Sequence, residues 1–522
     1  MIARCAGTLI PLFSIRSIED FGRGEFGGVL PMGQMALAVG HRLLQLLPID
    51  EVAPGETSPY CALSVFALDP IYLSLSRLPG ITRTQCDAAR AALRNHDKPV
   101  DQVKLRALKG ESLLLSYEYF KSSADRKLHD RYTEFVELQR AWLDDYALFR
   151  ALKEEFHWAE WETWPPPLKN HEPKALADIS RVLAEHLTML KYVQFLAHQQ
   201  WQDLHDQVRQ SGVFLGGDLA FSPGRESVEV WAHRELFDLS RAVGAPPDAF
   251  STIGQRWGLP KPNWEQMRAR NFDFLRNRVR HARELYDVLR IDHVVGLYRT
   301  YSYALDDKIG GEFDPATETT QRAQGEEIMR IVLEEAGPMQ IVAEDLGVIP
   351  KYVRETLASL AIPGYKVMRW EKQQVAGASA GGRFVNPADY PAASLATTGT
   401  HDTETLVEWW ATISETERRQ LTQAISASTH ADGSITVLDE PHLDAILEWV
   451  YASPAQLVVT PIQDLFGWND RINLPGTINE ANWTWRLPFD LETGMEDPYV
   501  CARLARIRAI CDKTGRFRPS CH

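Results

Sequence analysis

Cysteine is scarce in this 522-residue sequence. Its six cysteines, Cys5, Cys61, Cys86, Cys501, Cys511 and Cys521, are scattered, with no CxxC pair. That spacing speaks against a disulfide framework or a zinc ribbon and predicts free thiols in a reducing compartment. No stretch approaches ~18 consecutive apolar residues, so no membrane-spanning helix is expected. The strand-like run Gly7 to Phe13 begins too early to leave room for a secretory leader, and a cytoplasmic location is expected. Positive charge is in deficit, with 56 Lys+Arg against 70 Asp+Glu and a net charge of −14. Such a balance repels phosphate backbones and anionic lipid, which leaves nucleic acid and membrane surfaces out and favours a neutral or cationic small ligand. HExxH, P-loop and GxGxxG patterns are absent, as are internal repeats and low-complexity tracts. One hydrolase-like motif is present, the GxSxG of Gly377 to Gly381 around Ser379. A nucleophile elbow needs a buried strand before it, and the polar residues Glu371 to Gln374 make a Gly/Ala/Ser loop the better reading.

What is present is a composition with 44% apolar and 24% charged residues, enough to bury a large core. The 15 Trp, 16 Tyr and 20 Phe exceed what stacking on a ligand needs, so most are core. Length alone suggests about three domains at roughly 150 residues each, although α/β barrels run to 250 or more as one unit. The apolar pattern decides between these. Eight short apolar runs stand apart: Gly7 to Phe13, Leu43 to Ile49, Val213 to Leu219, Val288 to Val295, Gln340 to Leu346, Gly364 to Trp370, Ser394 to Thr400 and Gln456 to Ile462. Longer stretches of helical periodicity separate them, which predicts an α/β fold, a (β/α)8 TIM barrel spanning 1–522. The excess between the second and third runs, about residues 74–210, is too long for one crossover and predicts an inserted, mainly helical subdomain. Phe135, Leu138, Trp142, Tyr146 and Phe149 recur there at helical steps and read as core. A Gly310-Gly311 stretch within about 300–324 predicts a mobile loop over the barrel mouth.

The strand ends are unusually acidic. Three carboxylates lie in or beside apolar runs, in Arg290-Ile291-Asp292-His293, Ala343-Glu344-Asp345 and Gly399-Thr400-His401-Asp402. A buried carboxylate is either ion-paired or exposed at a cleft, and three at the C-terminal ends of one barrel favour the cleft. Two facing carboxyls can carry out retaining glycosyl transfer. Arg290 would keep Asp292 ionised as the nucleophile, while the apolar surroundings of Glu344 would raise its pKa towards a proton donor. Asp402 and His401 would hold sugar hydroxyls. No metal is expected, because no ligand pair sits at i, i+4 and no loop resembles a calcium site.

These residues resemble those of the 4-α-glucanotransferases, also called amylomaltases or disproportionating enzymes, glycoside hydrolase family 77. The resemblance runs through Asp20-Phe21-Gly22, Leu46-Leu47-Pro48-Ile49, Ser58-Pro59-Tyr60 and Gly217-Asp218-Leu219. It continues in Gly244 to Asp248, Gly254-Gln255-Arg256-Trp257-Gly258, Gln463-Asp464-Leu465, Asn473 to Thr477 and Asn482 to Arg486. It implies that Asp292 is the nucleophile, Glu344 the acid/base and Asp402 the transition-state stabiliser. Tyr60, Asp218, Gln255, Trp257, Arg290, His401 and Asp464 would bind or support sugar. It further implies one elaborated barrel without a C-terminal β-sandwich, no cofactor, an α-1,4-glucan or maltodextrin donor, and glucose or maltodextrin as acceptor. The chain departs from the family pattern at Asp69, Ala220, Glu229 and Lys261-Pro262, and in the segment 297–313 after Asp292, where acceptor choice is open. An α-1,4-glucan hydrolase on the same barrel and a non-catalytic glucan-binding protein are the competing readings.

Overall fold

Eight strands close a parallel barrel: β1 Cys5–Leu9, β2 Leu43–Gln45, β3 Phe214–Leu219, β4 Val288–Ile291, β5 Gln340–Ala343, β6 Gly364–Val367, β7 Ser394–Thr397 and β8 Leu457–Pro461. The computed structural model describes residues 2–93, 101–247, 254–306, 310–373, 382–425, 437–477 and 479–517. Each strand pairs with its sequence neighbours, and β8 returns to β1 in register Cys5↔Leu457 to Leu9↔Pro461. Every residue of β1, β2, β4, β5, β7 and β8 is buried, as strands covered by helices on the outside and packed side chains on the inside must be. Gly7 is required by this closeness, since a Cβ there would stand 2.6 Å from the Leu43 carbonyl oxygen. At Gly217 a Cβ would strike the Tyr286 ring at 2.3 Å.

All eight expected runs form strands, but all except the run to Leu219 end sooner. The run to Val295 stops at Ile291, the run to Leu346 at Ala343, the run to Trp370 at Val367 and the run to Thr400 at Thr397. The chain turns where polar groups must leave the wall: His293 takes a left-handed φ of 47°, so Asp292 lies one residue past β4 and not within it.

Between β2 and β3 the insertion is mainly helical, with Gln102–Ser122, Arg126–Leu138, Arg140–Glu155 and Pro173–Val182 leading into the 27-residue helix Ala184–Gln210. That last helix buries Leu190, Val193, Leu196, Trp201, Leu204 and Val208, and the Trp201 indole donates to the Leu285 carbonyl at 3.0 Å. The apolar stripe expected from Phe135 to Phe149 is broken. Helix Arg126–Leu138 ends before Gln139, and the new helix turns Tyr146 and Phe149 inward while Leu138 is left 72% exposed.

The stretch expected to be a mouth loop is largely ordered into regular elements. Strands Thr300–Ala304 and Glu312–Asp314 join Phe237–Ala245 and Gln255–Pro262 in a four-stranded antiparallel sheet, and helix Glu318–Ala336 begins within the same span. Its pairings join segments some 60 residues apart, such as Ala242↔Tyr303, which local periodicity does not register. Every described element after β8 is helical, ending with Pro498–Lys513, so the described chain carries no C-terminal β-sandwich. The Ser379 motif lies outside the described residues.

Candidate active site

The C-terminal ends of the barrel strands bring the predicted acids together. In the β4–β5 register Ile291 faces Ala343, so Asp292 and Glu344, each the next residue, leave neighbouring strands at the same level. Adjacent strands lie about 4.8 Å apart, and the Asp292 charge acts on the Glu344 carboxyl. The backbone carries the match one step further, with Glu344 N–H donating to the Ile291 carbonyl at 3.0 Å and His293 N–H donating to Glu344 Oε2 at 2.8 Å.

Arg290, in β4, organises the floor of the site. Its Nη1 reaches both carboxylate oxygens of Asp218 in β3, at 2.7 and 2.6 Å, and Asp292 Oδ1 at 2.9 Å. Burial would favour loss of the proton, but the Asp218 and Asp292 carboxylates outweigh it and hold the guanidinium firmly charged. A buried cation between two anions is far better satisfied than any of the three alone, which fixes the Asp292 carboxylate in orientation. Tyr60, in the loop after β2, donates its hydroxyl to Asp218 Oδ2 at 2.8 Å and lies 3.0 Å from His401 Nε2, with its ring stacked on the imidazole at 5.5 Å.

Glu344 and Asp402 are tuned in opposite directions. Burial pushes the Glu344 carboxyl up to about 7; Arg290 opposes this and the nearby Asp292 charge reinforces it. Such a group holds a proton near neutrality and can donate it to a leaving oxygen. Burial would also raise Asp402, but His401 at 3.3 Å and Asn473 Nδ2, donating to Oδ1 at 2.6 Å, prevail and bring it down to about 2. Asp402 is therefore an anion throughout the working range. Against the lowering effect of burial, Asp402 raises the His401 pKa. Burial lowers His293 to about 4, leaving a neutral ring whose edge meets Trp257 at 4.7 Å and 89°. Trp257 stands on the antiparallel sheet and donates its indole N–H to Gln255 Oε1 at 3.0 Å, so this sheet supplies one wall of the cleft.

Two of the residues expected to bind or support sugar have their carboxylates engaged within the protein. Asp464, 2% exposed, accepts from Thr398 Oγ1 at 2.6 Å and from the Leu406 N–H at 2.7 Å, with Arg369 at 3.9 Å. Both oxygens are taken within the protein, so Asp464 braces the loop that carries His401 and Asp402. Asp218 is likewise consumed by Arg290 and Tyr60, with no side-chain exposure. Of the adjacent acids after β5, Asp345 turns away, accepting from the Tyr365 N–H at 2.7 Å and from Arg354 Nε at 3.2 Å.

Residue-type reasoning missed Asn473, Trp483 and Tyr365 as parts of the site. Asn473 belongs to the Asn-Leu-Pro-Gly turn after β8, and Trp483, with φ of 63°, lies 5.9 Å from Tyr60 and 6.0 Å from His401. The Arg290 guanidinium sits 5.8 Å from the Tyr365 ring. The signal for Asn473 was its place, a turn just downstream of the last strand.

Known proteins match this arrangement along nearly the whole chain. The family described as 4-alpha-glucanotransferase matches residues 10–492. The 4-alpha-glucanotransferase of Chlamydia pneumoniae is 32% identical over 496 residues, covering 93% of this chain and 92% of the relative. That of Thermus thermophilus is 33% identical over 498 residues, covering 92% of each. The solved amylomaltase from Streptococcus agalactiae in complex with acarbose superposes with a TM-score of 0.84 at 25% identity, over 99% of this chain and 100% of the other. With its barrel, its cleft of acids and these matches in agreement, the chain belongs to the 4-alpha-glucanotransferase family.

Proposed function

We propose that this 4-alpha-glucanotransferase moves an α-1,4-glucan segment to the 4-hydroxyl of glucose or another maltodextrin by a retaining double displacement. The observation that carries the reading is the pairing of Asp292, held by Arg290, with a Glu344 whose carboxyl is raised to about 7 at the same level of the next strand. Asp292 attacks C1 of the donor glucose while Glu344 gives its proton to the departing O4, so the C1–O4 bond breaks as the C1–Oδ bond forms. Glu344, now a carboxylate, takes the proton of the acceptor 4-hydroxyl, whose oxygen displaces Asp292 from C1. The starting protonation states are restored at the end of the cycle.

Asp402 and His401 are assigned to the hydroxyls of the reacting glucose, where a charge-assisted hydrogen bond strengthens as the ring gains positive charge. Gln255, Trp257 and Tyr60 are assigned to flanking sugars, the aromatic rings stacking on sugar C–H faces and keeping water from the glycosyl enzyme. Asp218 and Asp464 act through Arg290 and the His401 loop. The acarbose bound by the Streptococcus agalactiae amylomaltase supports a glucan-like ligand here. The five described cysteines are free thiols, in keeping with a reducing cytoplasm.

Incubation with maltotriose is expected to release glucose and build maltodextrins longer than the substrate. Products no longer than the substrate, with reducing ends accumulating, would reassign the enzyme to hydrolysis. Asp292→Asn should abolish both outcomes.

A further inference from the structure

The loop that carries His401 and Asp402 is closed at its base by a buried arginine. Arg369 stands two residues past the end of β6 and is 2% exposed. Its Nε donates to the Thr398 carbonyl at 2.9 Å and its Nη1 to the Glu404 carbonyl at 2.7 Å. These carbonyls belong to the two ends of the segment 398–404, so one guanidinium ties the neck of the loop. Nη2 faces Asp464 Oδ2 at 3.9 Å, and the guanidinium carbon lies 5.2 Å from the centre of the Trp409 ring. Asp464 bridges the same neck with the opposite charge, taking the Thr398 hydroxyl and the Leu406 N–H.

The loop is tight enough to pass a shift at its neck on to its tip. The Thr400 N–H donates to Thr403 Oγ1 at 3.0 Å and the Asp402 N–H to Thr400 Oγ1 at 3.2 Å. A Cβ at Gly399 would stand 2.5 Å from Thr403 Oγ1 and 3.0 Å from Arg369 Nη2, so the arginine packs directly against the loop backbone. A planar guanidinium keeps its nitrogens at a fixed spacing, and two carbonyls bound to it take their separation from that spacing. Buried ion pairs add little to stability, whereas two directed bonds from one rigid group are well suited to fixing a position. At the tip, Asn473 Nδ2 orients the Asp402 carboxylate, and Arg471 Nη2 donates to the Asp402 carbonyl at 3.3 Å. Arg369 sets where the loop stands, and Asn473 sets how the carboxylate is turned.

We propose that Arg369 is a positioning residue for glucan transfer: its guanidinium fixes the neck of segment 398–404 and thereby places Asp402 and His401 against the reacting glucose. The proposal rests on the role assigned above to Asp402, that of strengthening its hold on the sugar as the ring gains positive charge. Such a group has to stand in place before the charge develops, and a displacement of about 1 Å is enough to cost about 100-fold in rate. Arg369 touches no sugar in this scheme and acts only through the loop it closes.

The test compares the unaltered full chain with Arg369→Lys, Asp402→Asn and the double variant. Maltotriose is the donor and radiolabelled glucose the acceptor, and each rate is referred to the folded fraction read by near-ultraviolet circular dichroism. Arg369→Lys keeps the charge beside Asp464 and loses the rigid fork. It is expected to lower kcat about 10–100-fold with KM within about threefold, because ground-state binding does not pass through the neck. In the Asp402→Asn background the same change should cost only about threefold, since the group that Arg369 places is already disabled. A variant with lowered Tm but unchanged kcat and KM per folded molecule overturns the proposal and leaves the transfer reading intact. An equal loss in both backgrounds also overturns it, because Arg369 then acts on something other than Asp402. If Arg369→Lys does not fold, Gly399→Ala decides: it keeps the arginine and presses on the neck from the loop, and normal kcat in that variant overturns the proposal. Near-normal kcat in Asp402→Asn defeats the stabiliser role and the positioning role together, and no incorporation by the unaltered chain defeats the transfer reading itself.

Discussion

Replacing Asp292 by Asn should lower the pKa of Glu344, and the size of the drop measures how closely the two groups work. Glu344 stands at about 7, raised first by burial and further by the Asp292 charge. Two unit charges one strand spacing apart, about 4.8 Å, interact by about 3.5 kcal/mol at an effective dielectric of ~20. That corresponds to about 2.5 pH units, and water in the open cleft reduces it to about 1–2 units. Burial remains in the variant and Arg290 loses one anion, so Glu344 is expected to titrate between about 5 and 6. Carbon-13 labelling of glutamate carboxyls, with Glu344→Gln to assign the resonance, reads this without turnover. In the unaltered enzyme the same titration should appear as the basic limb of the kcat/KM profile, with transfer falling about tenfold for each pH unit above 7 as the acid is lost. A Glu344 that titrates near 4.5 in the unaltered enzyme would refute its role as a proton donor. An unmoved or rising value in Asp292→Asn would refute the coupling.

Glu344→Gln should cost about 10²–10⁴-fold in transfer from maltodextrins and far less with α-glucosyl fluoride as donor, since fluoride leaves without an acid. The same variant tests the stability sign. The folded pKa of Glu344 lies above that of a free glutamate, so its protonated form contributes fully below about pH 4.5 and that contribution is lost as pH rises through 7. Glu344→Gln should then leave Tm unchanged at pH 4 and raise it at pH 8. Tyr60→Phe removes the hydroxyl bonded to Asp218 and His401 but keeps the stacked ring, so kcat should fall about 5–30-fold with Tm nearly unchanged; unchanged kinetics would remove Tyr60 from the working site. Asp464→Ala strips the acceptor from Thr398 and Leu406 and should destabilise by about 1.5–3 kcal/mol in denaturant titration, with KM for maltotriose little changed; a large KM effect in a fully stable variant would return Asp464 to the sugar. Trp201→Ala, at a fully buried position on helix Ala184–Gln210, should cost about 3–5 kcal/mol without altering the pH profile of the folded fraction.

The barrel was legible because its signal is local. Each run such as Leu457–Pro461 is apolar on both faces and short, and helical periodicity on either side leaves little room for another arrangement. The acids were legible for a related reason: a carboxylate next to such a run has to be accounted for, and Asp292, Glu344 and Asp402 were the ones the pattern exposed. Arg290 stands two residues before Asp292 in the sequence, and its Nη1 lies 2.9 Å from Asp292 Oδ1.

Geometry between distant segments belonged to the tertiary structure alone. Glu344 and Asp345 are neighbours with similar chemistry, and only the packing of β5 against β6 assigns one to the cleft and the other to the Tyr365 N–H. Asp464 sits at a strand end like the others, yet Thr398 and Leu406, about 60 residues away, consume it. The antiparallel sheet that brings Trp257 to His293 is built from pairings with no local period, and Asn473 reaches Asp402 across 71 residues. The sequence by itself determined the barrel, its helical insertion and the placing of acids beside the strand ends, since burial and periodicity act over a few residues. The tertiary structure decided which polar groups face the cleft and which are spent holding it, because a hydrogen bond depends on what stands opposite, and that is set only when the barrel closes.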